Sequence, residues 1–314
     1  MRLSIEHTTR YRYTEALSRA VQQLYLWPSN GPTQAVQSWH VRAPAPVQVT
    51  QDGLGNLTGH FTFDGHTQEL TLTATGVVQT MDVSGWVEAG PVYTSASASG
   101  AGAGAGSGAV ARTGTADSTL GSGDAADSPL PWVHPAFYLR SGKLSTVEPR
   151  ITQWARDVVG VAAGQPVAVS QARALQLATA VSNKVQYSQG RTDVQTHALE
   201  AFDWGAGVCQ DQAHTMLAAC RGLGWPARYV SGYLYAPNQP ELASHAWVDV
   251  CLAVDPNSLD AQWLSVDITQ ACLTTDQYVR LAIGSDYASC APSKGMRVGG
   301  GEEAMSVDVR ITLV

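Results

Sequence analysis

Cys209 follows the stretch Gly205-Ala206-Gly207-Val208 and opens the run Gln210-Asp211-Gln212-Ala213-His214-Thr215-Met216-Leu217. Beyond it Ala213, Met216, Leu217, Cys220 and Leu223 recur at three and four residues, the period of one helix face, and Gly222, Gly224 and Pro226 end the pattern. The spacing therefore puts Cys209 at a helix N-terminus, and the two preceding glycines permit a sharp turn into it. Thiolate is the reactive form of cysteine, and the partial positive charge at a helix N-terminus stabilises an anion. The unpaired amide hydrogens of the same first turn can donate to a developing oxyanion.

A thiol nucleophile needs a base, and the base needs an orienting group. His245 lies in Ser244-His245-Ala246-Trp247-Val248-Asp249-Val250, where strand alternation puts His245, Trp247, Asp249 and Cys251 on one face and Ala246, Val248 and Val250 on the other. An imidazole beside the helix of Cys209 can take the thiol proton and return it to a leaving group. Asp267, in Trp263-Leu264-Ser265-Val266-Asp267-Ile268-Thr269, sits on a second predicted strand, from which a carboxylate can fix the tautomer of that imidazole.

Helical spacing over Pro149 to Val159 and Ser170 to Tyr187, with Ser170 as a cap, precedes Cys209. Strand patterns over Ala227 to Tyr235 and Ser244 to Leu252 follow it, so the expected order is helix, then antiparallel strands. From Met1 to about Tyr93 alternation dominates, as in Arg10-Tyr11-Arg12-Tyr13, Ser38-Trp39-His40-Val41 and Glu69-Leu70-Thr71-Leu72-Thr73-Ala74. Asp52-Gly53, Gly55-Asn56 and Asp64-Gly65 punctuate these runs, which predicts an antiparallel β-sandwich-like domain over 1–94. Ser95 to Ser128 is nearly all small residues and reads as a Gly/Ala/Ser-rich flexible linker or loop, leaving 129–314 for the catalytic domain. The fold class expected is α+β.

The totals narrow the function. The chain has 314 residues, a formal charge of -7, 44% hydrophobic and 14% charged residues, and no apolar run near the roughly 20 residues that cross a bilayer. With 19 Lys+Arg and no basic cluster, nucleic acid is not an expected partner, nor is a membrane. Charges at Arg2 and Glu6 stand where a secretory signal needs an apolar core, and a cytoplasmic location is expected. Cys209, Cys220, Cys251, Cys272 and Cys290 are odd in number and widely spaced, which argues against a disulfide framework and against zinc-ligand spacing.

Gly207-Val208-Cys209-Gln210-Asp211 with Ala213-His214, then Ala227-Arg228-Tyr229-Val230-Ser231-Gly232-Tyr233, then Ser244-His245-Ala246-Trp247-Val248, resembles the bacterial transglutaminase-like superfamily. Val185-Gln186-Tyr187, Gly284-Ser285-Asp286-Tyr287 and Gly299-Gly300-Gly301-Glu302 extend the likeness, and Tyr11-Arg12-Tyr13 with Asp52-Gly53-Leu54-Gly55-Asn56 resembles the β-domain that precedes the catalytic domain in such proteins. The resemblance implies a papain-like catalytic domain with Cys209 as nucleophile, His245 as general base and acid, and Asp267 orienting the histidine. Where the family pattern runs Asp-Pro-Thr-Asn, this chain has Asp267-Ile268-Thr269-Gln270, which keeps the acid and the threonine.

Tyr187, Gln210, Asp211 and Trp247 are candidates for the cleft or its support, with Asp211 suited to the first turn of the helix. His214, Cys220, Cys251, Cys272 and Cys290 read as packing residues. The expected activity is acyl transfer, as a protease or amidase, on a peptide, isopeptide or glutamine carboxamide bond of a peptide or protein substrate, with no cofactor and no metal. A crosslinking transglutaminase and a non-catalytic peptide-binding module are the alternatives.

Overall fold

The structure is a computed structural model, and it describes residues 1–89, 112–113, 117–120, 133–239, 243–255 and 260–314. Chain order begins with β1 (Arg2–Trp27), β2 (Gln34–Arg42), β3 (Gln48–Gln51), β4 (Leu57–Thr80) and β5 (Trp86–Ala89). Two short strands, β6 (Arg112–Thr113) and β7 (Asp117–Leu120), pair with β3 and β2. Apart from them, the stretch 95–128 that reads as linker lies outside the described residues.

Next come a 3-10 turn (Pro135–Leu139), α1 (Pro149–Val159), α2 (Gln171–Lys184), β8 (Gln186–Tyr187), α3 (Ala198–Trp204), β9 (Ala206–Gly207) and α4 (Cys209–Gly222). The chain then forms β10 (Ala227–Leu234), β11 (Ser244–Val254), β12 (Ala261–Asp267), β13 (Cys272–Leu273), β14 (Tyr278–Gly284) and α5 (Tyr287–Cys290). It ends in β15 (Ser293–Gly299) and β16 (Glu303–Leu313).

The expected α+β class holds, with an antiparallel N-terminal sheet and a helix-plus-sheet domain. β1 is the spine of the first sheet. It pairs along its whole length with β4, and on its other edge with β16 over Leu3 to Tyr13 and with β15 over Leu17 to Leu24. The last strands of the chain thus return to the sheet begun by the first, a pairing that local sequence pattern does not reveal. Alternation on β1 buries Leu3 and Ile5 against Trp39, Leu72 and Val78, and the same face continues to His7, Thr9 and Tyr11.

The second sheet runs β13-β12-β11-β10-β14. Its Ala246, Val248 and Val250 pack on α4, which is buried from Asp211 to Arg221 and surrounded by α1, α2 and α3. The apolar alternate face of β11 is thus spent on the central helix, as its pattern predicts.

Tyr233 of β10 and Val279 and Leu281 of β14 join the core of the first sheet, so the two sheets share buried surface. Side-chain amides also seal the outer edge of β14. Asn56 donates to the carbonyl of Ile283 and accepts from its amide, both at 2.8 Å, and Gln34 does the same to Arg280 at 2.8 and 2.7 Å. Asp52 holds Asn56 in place, accepting from its backbone amide at 2.9 Å and from its side-chain nitrogen at 2.9 Å. The Asp52-to-Asn56 turn is therefore a clamp between the sheets, covering an edge that would otherwise present unpaired backbone groups.

Candidate active site

Cys209 is the first residue of α4 and is half-buried, whereas the helix beyond it is enclosed. Asp211 sets this helix end. Its Oδ2 accepts from the Val208 amide at 2.7 Å and from the Thr192 hydroxyl at 2.7 Å, satisfying a donor that a helix start leaves open. Burial pushes the Asp211 carboxyl up, against those two hydrogen bonds. Gly207 makes the close approach possible, because a side chain there would collide with Asp211.

The structure brings His245 and Asp267 together. His245 Nε2 lies 2.8 Å from Asp267 Oδ2, and both side chains are fully buried. Asp267 accepts two further bonds, from the Tyr278 hydroxyl to Oδ2 at 2.7 Å and from the Gln270 amide to Oδ1 at 3.0 Å. Burial opposes ionisation of Asp267, but His245 and these donors outweigh it and hold the carboxyl below its usual range. Burial likewise disfavours the imidazolium of His245, yet Asp267, with Cys209 acting in the same direction, raises its pKa to about 10.

With Nε2 committed to the acid, Nδ1 is the nitrogen left for proton transfer; it is buried and has no hydrogen-bond partner among the described residues. Trp247 stacks on the imidazole, ring centroids 6.3 Å apart at 29°, and Tyr278 packs edge-on against Trp247 at 5.4 Å. These rings fix the imidazole plane, and Gly232, directly across the ladder from His245, leaves room for the Trp247 ring.

Behind the same strand face, Asp249 is buried between two guanidinium groups, with Arg228 Nε at 2.9 Å and Arg280 Nη1 at 2.6 Å, and it also accepts from Ser265. Arg228 lies over the Trp263 ring at 4.2 Å. Asp249 is held low because these partners outweigh its burial. This network ties β10, β11, β12 and β14 together without drawing on Cys209, His245 or Asp267.

Cys209 and His245 open into one cleft of about 190 Å³. Gln210, Ser231, Ser244 and Ala246 also line it. The opposite wall comes from the two ends of the chain: His7, Thr9 and Tyr11 of β1, and Met305 and Val307 of β16. His7 is fully engaged, with Nδ1 2.8 Å from the Tyr233 hydroxyl and Nε2 3.0 Å from Thr9 Oγ1, and burial lowers its pKa to about 4.

Of the remaining sequence candidates, Gln210 reaches the cleft, and Tyr187 packs instead beside Val230, Leu234, Trp247 and Tyr278. Trp247 is in the core behind His245, with Nε1 lacking a partner among the described residues. His214 is buried, accepts from the Tyr287 amide at 3.2 Å, and is pushed down to about 3 chiefly by burial. Burial pushes the thiols of Cys220 and Cys251 up to about 12 and about 11, and those of Cys272 and Cys290 upward as well. Among the described residues, no group of three or more His, Cys, Asp or Glu side chains is placed to hold a metal ion, and no helix is long and apolar enough to cross a membrane.

The transglutaminase-like superfamily model matches residues 153–268, which run from α1 through the acid Asp267, and the bacterial transglutaminase-like N-terminal region matches residues 3–79. The chain belongs to the transglutaminase-like superfamily. An uncharacterized Mycobacterium leprae protein is 36% identical over 136 residues, 41% of this chain and 46% of that relative, so the match spans less than half of the relative's length. An uncharacterized Mycobacterium tuberculosis protein is 27% identical over an alignment of 325 positions covering 100% of this chain and 92% of its own. A solved structure from Cytophaga hutchinsonii, described as a "putative cysteine protease", shares the fold with a TM-score of 0.68 at 17% identity, covering 99% of this chain and 90% of that one.

Within this transglutaminase-like core the departure after the acid has a local answer. Gln270 supplies the amide that bonds Asp267, Ile268 is buried in the helical core, and the Thr269 hydroxyl donates to Gln212 Oε1 at 2.6 Å. Gln212 in turn donates to the Val185 carbonyl at 2.8 Å, linking α4 to the end of α2. The loop is thus held by contacts of its own rather than by a proline.

Proposed function

We propose that the chain is a thiol-dependent acyl-transfer enzyme in which Cys209, His245 and Asp267 form a catalytic triad. The observation that carries this reading is the buried His245–Asp267 pair, which engages Nε2 and leaves Nδ1 for the thiol in a cleft that Cys209 shares.

In the reaction, Cys209 Sγ attacks the carbonyl carbon of an amide, its proton passing to His245 Nδ1. The C–N bond then breaks, His245 gives that proton to the departing nitrogen, and a thioester remains. Water attacks the thioester with His245 as base, the C–S bond breaks, and the thiol regains its proton. Asp267 stays ionised throughout and supports the imidazolium. Amide hydrogens at the start of α4 are the proposed donors to the developing oxyanion, where preorganised donors are often the largest contribution.

Hydrolysis of a peptide or isopeptide bond in a cytoplasmic peptide or protein is the favoured outcome, with transfer to a second amine as the alternative. The chemistry needs no cofactor, and chelators are expected to leave it unchanged. Incubating the purified protein with peptide and glutamine-amide libraries tests the reading: amine release that Cys209→Ala abolishes supports it. Absence of release from every library, with the wild type folded, would leave the fold serving as a binding module.

A further inference from the structure

We propose that the first and last strands of the chain form the acyl-donor specificity wall, with Tyr11, Met305 and Val307 receiving an uncharged, apolar or aromatic side chain beside the carbonyl that Cys209 attacks. This rests on the acyl-transfer reading of the same cleft. β1 and β16 run antiparallel with Tyr11 opposite Met305 and Thr9 opposite Val307. Their inward face begins as core at Leu3 and Ile5 and becomes cleft lining at these positions, without a break in the pleat. Met305 and Val307 remain 53% and 47% exposed, so apolar area stands open to solvent beside the thiol.

The lining also excludes alternatives. Apart from Cys209 and His245, the described lining residues include no Asp, Glu, Lys or Arg, and His7 is held neutral by burial between Tyr233 and Thr9. A charged donor side chain entering this cleft would lose water and meet no Asp, Glu, Lys or Arg among the described lining residues, whereas an apolar one would cover Met305 and Val307. The wall is built from residues nearly 300 positions apart in the chain, so it exists only when both ends are paired.

The test compares alkylation of Cys209 by N-benzyl iodoacetamide and by iodoacetamide, each forming an S–C bond with loss of iodide and a proton. The ratio of the two rates cancels thiol activation, so it is separate from the question of whether His245 activates Cys209. For the wild type the ratio is expected to exceed that of glutathione by about tenfold, the size of effect expected from covering one ring. It is expected to fall to the glutathione value in Met305→Glu/Val307→Glu and to persist in Met296→Glu, whose site is 76% exposed on β15 outside the cleft. A wild-type ratio equal to that of glutathione overturns the proposal whether or not the variant folds, and so does an unchanged ratio in the folded double variant.

Discussion

The Tyr278 hydroxyl donates to the same Asp267 oxygen, Oδ2, that faces His245 Nε2, at 2.7 and 2.8 Å respectively. A buried carboxylate costs free energy unless its lone pairs are filled, and here a tyrosine from β14, an imidazole from β11 and a backbone amide fill them. The acid is thereby fixed in both position and charge. Tyr278→Phe should cost about 1.5–3 kcal/mol in urea unfolding, the usual value for a hydrogen bond to a charged group. It should also slow labelling of Cys209, and an unchanged unfolding midpoint with unchanged labelling would remove Tyr278 from the site's support.

Stability should depend on pH in two directions. His245 has its pKa raised, to about 10, so its pairing stabilises fully below its ordinary value near 6.5 and is lost as pH rises through 10. Asp267 is lowered, so its share is present above its ordinary value of 3.8 and is lost as pH falls through the depressed one. His7 and His214 act oppositely to His245: burial lowers them to about 4 and about 3, so the unfolded chain takes up protons first and stability falls as pH drops below 6.5. Thermal melts of His214→Gln should show a flatter acid limb than wild type, and melts of Asp267→Asn a flatter alkaline limb. Parallel curves for wild type and variants would contradict this assignment.

Gly232→Ala should be disproportionately damaging for one methyl group. The added carbon would meet the Val279 carbonyl and the Trp247 ring, which stacks on His245. Overpacking of this kind costs about 1–3 kcal/mol, and displacement of Trp247 should carry to the imidazole. Denaturant melts together with Cys209 labelling check both parts; a neutral variant would mean the ring can yield.

Asp249→Ala should destabilise by about 3–5 kcal/mol, because it leaves Arg228 and Arg280 in the core without their shared partner. Restoring part of the loss with the additional change Arg280→Met would show that stranded charge, rather than lost volume, is the cause. If Asp249→Ala melts with wild type, the network is not structural.

Local chemistry made the C-terminal half legible. The helix opened by Cys209, the Ser170 cap of α2, which accepts from the Arg173 amide at 3.3 Å, and the strands bearing His245 and Asp267 all follow from short-range period and capping. What local period cannot show is pairing between distant segments. Tyr278 is absent from the sequence candidates, and only the return of the chain from β12 to β14 brings it to Asp267. Met305 and His7 come to one cleft only because β16 is laid against β1. The Asp52-to-Asn56 turn was visible as a turn, whereas its clamp on β14 depends on the packing of two sheets.

The most direct measurement is the rate of iodoacetamide labelling at Cys209 against pH, in wild type and in His245→Ala, read by peptide mass spectrometry. An activated Cys209–His245 pair predicts rapid labelling well below pH 8 that His245→Ala removes. Slow labelling with the same ordinary thiol profile in both proteins would contradict the triad.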